Sequence, residues 1–163
     1  MESAGMAFAI IFTIIVIAFL LVFGYQQITQ WLCFQEQAQA LKTLRGIEDT
    51  AERNYEKGED STDRYKVSLP EDSSICFVDP QRPEKKIYSG NKAAQSWNPE
   101  NLDAAKVMIR NQGFNMIYTV GCQAGLQGYK IDILFPSSGN FCARNGMWII
   151  FTNKGLSVGV GPE

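Results

Sequence analysis

The sequence predicts an α+β protein in which a long N-terminal hydrophobic helix continues into an amphipathic stalk and packs against a small C-terminal antiparallel β-sheet or sandwich. Three observations carry this. The run Ala7 to Phe23 is apolar except for Thr13, and no Lys, Arg, Asp or Glu occurs between Glu2 and Glu36. The stretch Gln26 to Tyr55 contains no Pro and is dominated by Gln, Glu, Ala, Leu and Lys, residues that cost a helix little. From Arg64 onward, short apolar or alternating segments are punctuated by Gly, Pro, Asn and Asp, as strands and turns require. The expected division is a short leader at 1–5, a helix and stalk at 6–56 and a β-rich head at 61–163.

The apolar part from Gly5 to Tyr25 is about 20 residues long, which at 1.5 Å per residue matches a hydrocarbon core of roughly 30 Å. A secretory signal peptide would carry a basic start and a small-residue cleavage site. This chain has no basic residue before Lys42, and Tyr25-Gln26-Gln27 suits cleavage poorly, so the expectation is a retained membrane helix. Nothing in the run is ionisable, which argues against a proton or ion pathway through it. The Thr13 hydroxyl can return to the carbonyl of the preceding turn. Tyr25 and Trp31 follow the run and suit the headgroup level. Neither flank carries Lys or Arg within about 15 residues, so charge does not set orientation. The short leading segment and the cysteines discussed below favour an external head.

Ile28, Trp31, Phe34, Ala38, Leu41, Leu44, Ile47, Ala51 and Tyr55 recur every three or four positions, the signature of one buried stripe. The head can cover the part from about Leu41 onward. Around Trp31, Phe34 and Ala38, between head and membrane, only another chain or lipid headgroups can do so. Gly46 costs this helix about 1 kcal/mol relative to Ala, and either permits a bend or close contact or simply weakens the helix. Gly58 suits the left-handed position that ends it.

Arg64 to Leu69 and Ile75 to Val78 are expected strands around a Pro70–Ser74 turn, and the polar stretch Gln81 to Ser96 an exposed loop. Asn98-Pro99 starts a helix of about two turns, to Ala105. Lys106 to Ile109 and Phe114 to Val120 then flank Arg110-Asn111-Gln112-Gly113, which has hairpin chemistry. Gly121 to Gly128 is a structural loop, since a phosphate-binding loop would need GxxxxGK[ST] entering a helix, and a strand, Tyr129 to Phe135, follows instead. Phe141 to Ala143 and Met147 to Thr152 flank an Asn145-Gly146 hairpin turn, and Leu156 to Val160 ends the chain after a further turn.

Composition narrows the chemistry. Formal charge is −2 with Lys and Arg scattered singly, leaving no basic stripe for a phosphate backbone, so nucleic acid is not an expected partner. Histidine is absent, which removes the commonest general base and metal ligand together. The Ser68/Lys66 and Ser89/Lys86 neighbours are ordinary surface pairs, and the acidic clusters at Glu56, Glu59, Asp60, Asp63 and at Glu71, Asp72 do not match a calcium loop. No catalytic, metal or cofactor site is expected. Tyr88 and Trp97 could contribute to a carbohydrate or surface contact. Four cysteines, Cys33, Cys76, Cys122 and Cys142, have no CxxC spacing and suit structural disulfides on an oxidising side of the membrane. Four cysteines allow three pairings. Cys76 and Cys142, both on short apolar strands near turns, form the expected pair, with Cys122 meeting Cys33 or staying free.

The layout as a whole, from a very short leader through an apolar segment ending in Gly24-Tyr25 and a Gln- and Ala-rich helix to an all-β head, resembles archaeal type IV pilin-like proteins, the class of adhesion pilins and archaellins. The head is also similar to uncharacterised archaeal membrane proteins with an SLP turn (Ser68-Leu69-Pro70), a CFVD strand (Cys76-Phe77-Val78-Asp79) and a late Cys before an Asn-Gly turn (Cys142, Asn145-Gly146). A pilin leader normally carries basic residues, and Met1 to Gly5 carries none. The resemblance implies a subunit that leaves the membrane lipid to polymerise with copies of itself into a surface filament for attachment. Phe8, Ile11, Phe12, Ile15, Phe19, Val22 and Phe23 would lie in the filament core and Trp31, Phe34 and Ala38 between subunits. The alternative is a solitary membrane-anchored extracytoplasmic binding module, or an accessory subunit of a membrane complex.

Overall fold

The computed structural model describes residues 2–82, 99–123 and 125–163, and the chain divides into two compact units, Met1–Gln35 and Glu36–Glu163. One helix, α1 (Glu2–Glu56), contributes to both. The expected loop at Gln81 to Ser96 lies almost wholly outside the described residues, as do Tyr88, Trp97, Ser89, Lys86 and the Asn98 cap.

The first unit is helix alone. Its large apolar side chains, among them Phe8, Ile11, Phe12, Ile15, Phe19, Val22 and Phe23, are all exposed. Thr13 donates its hydroxyl to the Ala9 carbonyl at 2.8 Å, satisfying the one polar side chain of the run. By length and composition this helix is consistent with a single-pass membrane anchor.

The second unit holds two four-stranded sheets. In the first, β1 (Thr62–Lys66), β7 (Trp148–Asn153), β8 (Val158–Pro162) and β5 (Leu134–Pro136) lie in that order, antiparallel except for the parallel pair β8 and β5. In the second, β4 (Gln127–Tyr129), β3 (Met116–Thr119), β2 (Ser74–Phe77) and β6 (Phe141–Arg144) are antiparallel throughout. The alternation of side chains along a strand divides the second sheet between two cores. Ile75, Phe77, Met116, Phe141 and Ala143 join the main core with Ile149, Phe151, Val158 and Val160 of the first sheet, Val67 and Leu69 of the segment after β1, and Ala40, Leu44, Ile47 and Ala51 of α1. Cys76, Val78, Ile117 and Cys142 face the other way, onto Ala105 and Ile109 of α2 (Pro99–Gln112).

Several expectations are corrected here. Lys106 to Ile109 is not a strand, because α2 continues to Gln112, and Ala105 and Ile109 at four-residue spacing are its buried side. Gly113 takes positive φ as expected, at 68°, but as the stop of this helix: its N–H bonds the Ile109 carbonyl at 3.0 Å. Tyr129 to Phe135 is not one strand but β4 and β5, in different sheets. The break is made by Asn115, whose amide nitrogen donates to the Ile131 carbonyl at 2.7 Å and the Leu134 carbonyl at 2.6 Å, while its oxygen accepts the Ile131 N–H at 3.0 Å. Asn145-Gly146 does form a turn, with Gly146 at φ 81°, but its flanking strands do not pair. The turn instead carries the chain between sheets and is held by Val67, whose carbonyl accepts the Gly146 N–H at 2.8 Å, and by Leu69, whose N–H donates to the Asn145 side chain at 3.1 Å.

The end of α1 is also built differently. Gly58 is not left-handed; Asp60 is, at φ 63°. The carbonyls that a glycine cap would engage are taken from across the fold by Asn153, whose amide nitrogen donates to Asn54 and Tyr55 at 3.0 Å and to Lys57 at 2.6 Å.

Candidate interaction surface

Within the second unit, α1 turns Ala40, Thr43, Leu44, Ile47, Thr50, Ala51 and Asn54 inward. Of the stripe expected on the head, Leu44, Ile47 and Ala51 are buried, while Ala38, Leu41 and Tyr55 are exposed. At about 100° per residue, Ala38 lies nearly opposite Ala40, Leu44, Ile47 and Ala51, and Leu41 and Tyr55 lie at the margin of the buried side. The expected stripe therefore turns, residue by residue, from an outer face at Ala38 to the inner face by Leu44. The inner one admits polar residues because each has a local outlet: Thr43 donates to the Ser68 carbonyl, and Thr50 to the Gly46 carbonyl at 2.7 Å.

The outer face is hollow. Gly46 faces Tyr65 of β1, and a Cβ built at Gly46 would stand 3.0 Å from the Tyr65 ring and closer still to its hydroxyl. Gly46 is therefore a close-contact residue, and the two readings left open for it are decided by the tyrosine. Around this contact lies a depression of about 480 Å³ lined by Ala38, Leu41, Lys42, Arg45, Gly46, Asp49 and Tyr65. Burial raises the Tyr65 pKa above its ordinary value, and the Asp49 carboxylate adds to the shift. Its phenol reaches the Thr43 carbonyl at 3.4 Å. A neighbouring phenol, Tyr129, donates to Glu48 Oε2 at 2.6 Å. The hydrogen bond, followed by burial and the Glu48 charge, pushes Tyr129 up to about 12.

In the first unit, Trp31 and Phe34 are 65% and 66% exposed and, with Gln27 and Gln30, border a shallow hollow of about 300 Å³.

The cysteines are oxidised throughout. Cys76 and Cys142 are bonded at directly opposed positions of β2 and β6, and Cys33 and Cys122 are disulfide-bonded as well. The Cys122 loop is structural in detail: a chain of polar side chains runs from Gln37 to Gln123 at 3.0 Å and from Gln127 to Gln123 at 2.5 Å. Gly121 N–H donates to Ser73 at 3.2 Å. Ser68 accepts a hydrogen bond from Gln39 at 3.5 Å, while Lys66 lies over the Trp148 ring at 5.9 Å, so the two side chains are engaged elsewhere. Asp63 meets Lys57 at 2.6 Å and Asp60 meets Lys154 at 3.6 Å. Among the described residues no three His, Cys, Asp or Glu side chains come together to hold a metal ion.

The Gly46 and Tyr65 depression and the Asn153 cap were not found from sequence. A glycine amid strong helix formers was the available signal for the first. Nothing local could signal the second, since cap and helix end are about a hundred residues apart in the chain. No protein-family model matches the chain, and neither a curated protein nor a solved structure matches it.

Proposed function

We propose that the chain is a structural subunit of a surface filament of the archaeal type IV pilus kind, held in the membrane by its N-terminal helix before assembly and polymerised with its own copies through that helix afterwards. The observation that carries this reading is the first unit itself: a helix without charge after Glu2 whose large apolar side chains are exposed. In a bilayer, lipid covers Phe8 to Phe23. In a filament, the same residues of neighbouring copies would, with Ala9, Ala18 and Gly24 allowing close approach. Trp31 and Phe34 add the further requirement, because each ring left in water forgoes about 1.5 to 3 kcal/mol of burial. The oxidised cysteines fit a head on the outer side.

Phe34→Asp is expected to abolish filaments while the disulfide-bonded head remains folded in the membrane. Electron microscopy of sheared cell-surface material checks this. If no filament contains the chain, or if Phe34→Asp filaments form normally, the tethered binding module takes the place of the polymer.

A further inference from the structure

Asn145-Gly146 is the one place in the chain where asparagine precedes glycine, a pair that reacts with itself by ordinary amide chemistry. Once the Gly146 nitrogen has lost its proton it attacks Asn145 Cγ, unhindered because its residue has no side chain. The new C–N bond closes a cyclic imide, the Cγ–Nδ2 bond breaks, and the side-chain nitrogen takes up protons from water and leaves as ammonia. Water then opens the ring at either carbonyl, giving aspartate or isoaspartate at position 145. Water is the only co-reactant.

We infer that the segment after β1 holds this reaction closed, so that Asn145 is a latent modification site released when that segment leaves the turn. Asn145 and Gly146 are both exposed, so exclusion of water does not protect them. The reacting groups are tied down instead: the Gly146 N–H donates to the Val67 carbonyl at 2.8 Å, and Asn145 Oδ1 accepts the Leu69 N–H at 3.1 Å. Val67 grips the turn a second time, its own N–H donating to the Met147 carbonyl at 2.9 Å. Val67 and Leu69 are 1% and 2% exposed and belong to the main core, so they do not fray as a surface loop does. Loss of the Gly146 proton begins both ring closure and amide hydrogen exchange, and a hydrogen-bonded amide gives that proton up only when its bond opens. Isoaspartate would lengthen the backbone of the turn between β6 and β7, on whose present length the Val67 and Leu69 bonds depend. A chain that has lost its fold would therefore be marked at a connection between the two sheets.

The test follows the full-length chain in detergent micelles at mildly alkaline pH, with and without guanidinium chloride. Mass spectrometry of the digested chain reads the conversion of amide to acid at position 145, and hydrogen–deuterium exchange resolved to single residues reads the Gly146 amide in parallel. Deamidation is expected to be about tenfold or more slower in the folded chain, with the Gly146 amide protected from exchange by at least as much. Equal rates in the two arms, including no reaction in either, would overturn the latent site. Slow deamidation in a folded chain whose Gly146 amide exchanges freely would overturn the hold of Val67 upon it.

Discussion

Asn153 holds two distant parts of the fold with one amide group. Its nitrogen spans the carbonyls of Asn54, Tyr55 and Lys57 at the end of α1, and its oxygen accepts the Gly155 N–H at 2.8 Å within the turn that leads to β8. Asn153→Ala withdraws this donor while the Asn54 carbonyl keeps the Lys57 N–H and Ser61 hydroxyl, and is expected to cost about 2 kcal/mol, measured as a lower urea midpoint. Asn153→Asp should cost at least as much despite its identical shape, because it removes the donor and sets a negative charge against the negative end of the helix dipole. Tyr129 gives a prediction in pH. Its folded pKa of about 12 exceeds the ordinary value of 10.0, so its bond to Glu48 contributes stability in full below pH 10 and loses it as pH rises through about 12. An alkaline titration followed by circular dichroism should therefore show the fold weakening above pH 10, and less steeply in Tyr129→Phe. Tyr65 and Tyr118, both raised by burial, act in the same direction and remain in the variant.

At the scale of elements, the second half of α1 is a seam with a defined inside. Leu44 is fully buried and Leu41, three residues earlier, is 44% exposed. Leu44→Ala is expected to cost about 3 kcal/mol, the range for a leucine removed from a packed core, and Leu41→Ala less than about 1 kcal/mol. Equal losses in urea unfolding would contradict the two-faced helix. On the other side of the second sheet, α2 covers the disulfide that joins β2 to β6, so the bond is enclosed by the same small cluster that holds the helix in place. Closing a sequence separation of 66 residues restricts the unfolded chain by about 4 kcal/mol on the entropic account. That contribution suits a head whose strands are only three to six residues long.

At the scale of the molecule, the boundary between units falls inside a helix, at Gln35 and Glu36, and all the residues of both cores lie beyond it. A chain beginning at Glu36, with Cys122→Ser to leave no stray thiol, is therefore expected to fold without detergent, to remain monomeric and to give a mixed helix and strand circular dichroism spectrum. A requirement for detergent, or a loss of cooperative melting, would show that the first unit contributes to the fold of the second. Monomeric behaviour also bears on the proposed polymer, since such a chain lacks the apolar run, Trp31 and Phe34.

The helix with its apolar first part, the α+β class and most of the strands were legible in the sequence, because each rests on local chemistry: an uncharged run, residues of high helix propensity, alternation broken by turn residues. Gly113 and Asn145-Gly146 show where local chemistry stops. Their turn-forming preferences were read correctly, yet whether a positive-φ glycine ends a helix or links two strands depends on what packs against the segment before it, here Ala105 and Ile109 against the second sheet. The choice between the two faces of α1 was likewise undetermined, since Leu41 and Leu44 are identical to any periodicity and only the placed sheets distinguish them. Tertiary structure alone decided the contact of Gly46 with Tyr65, the break imposed by Asn115 and the cap supplied by Asn153. In each, a side chain meets a part of the fold distant in sequence, and the energy of such a contact exists only once the chain has closed the intervening loop.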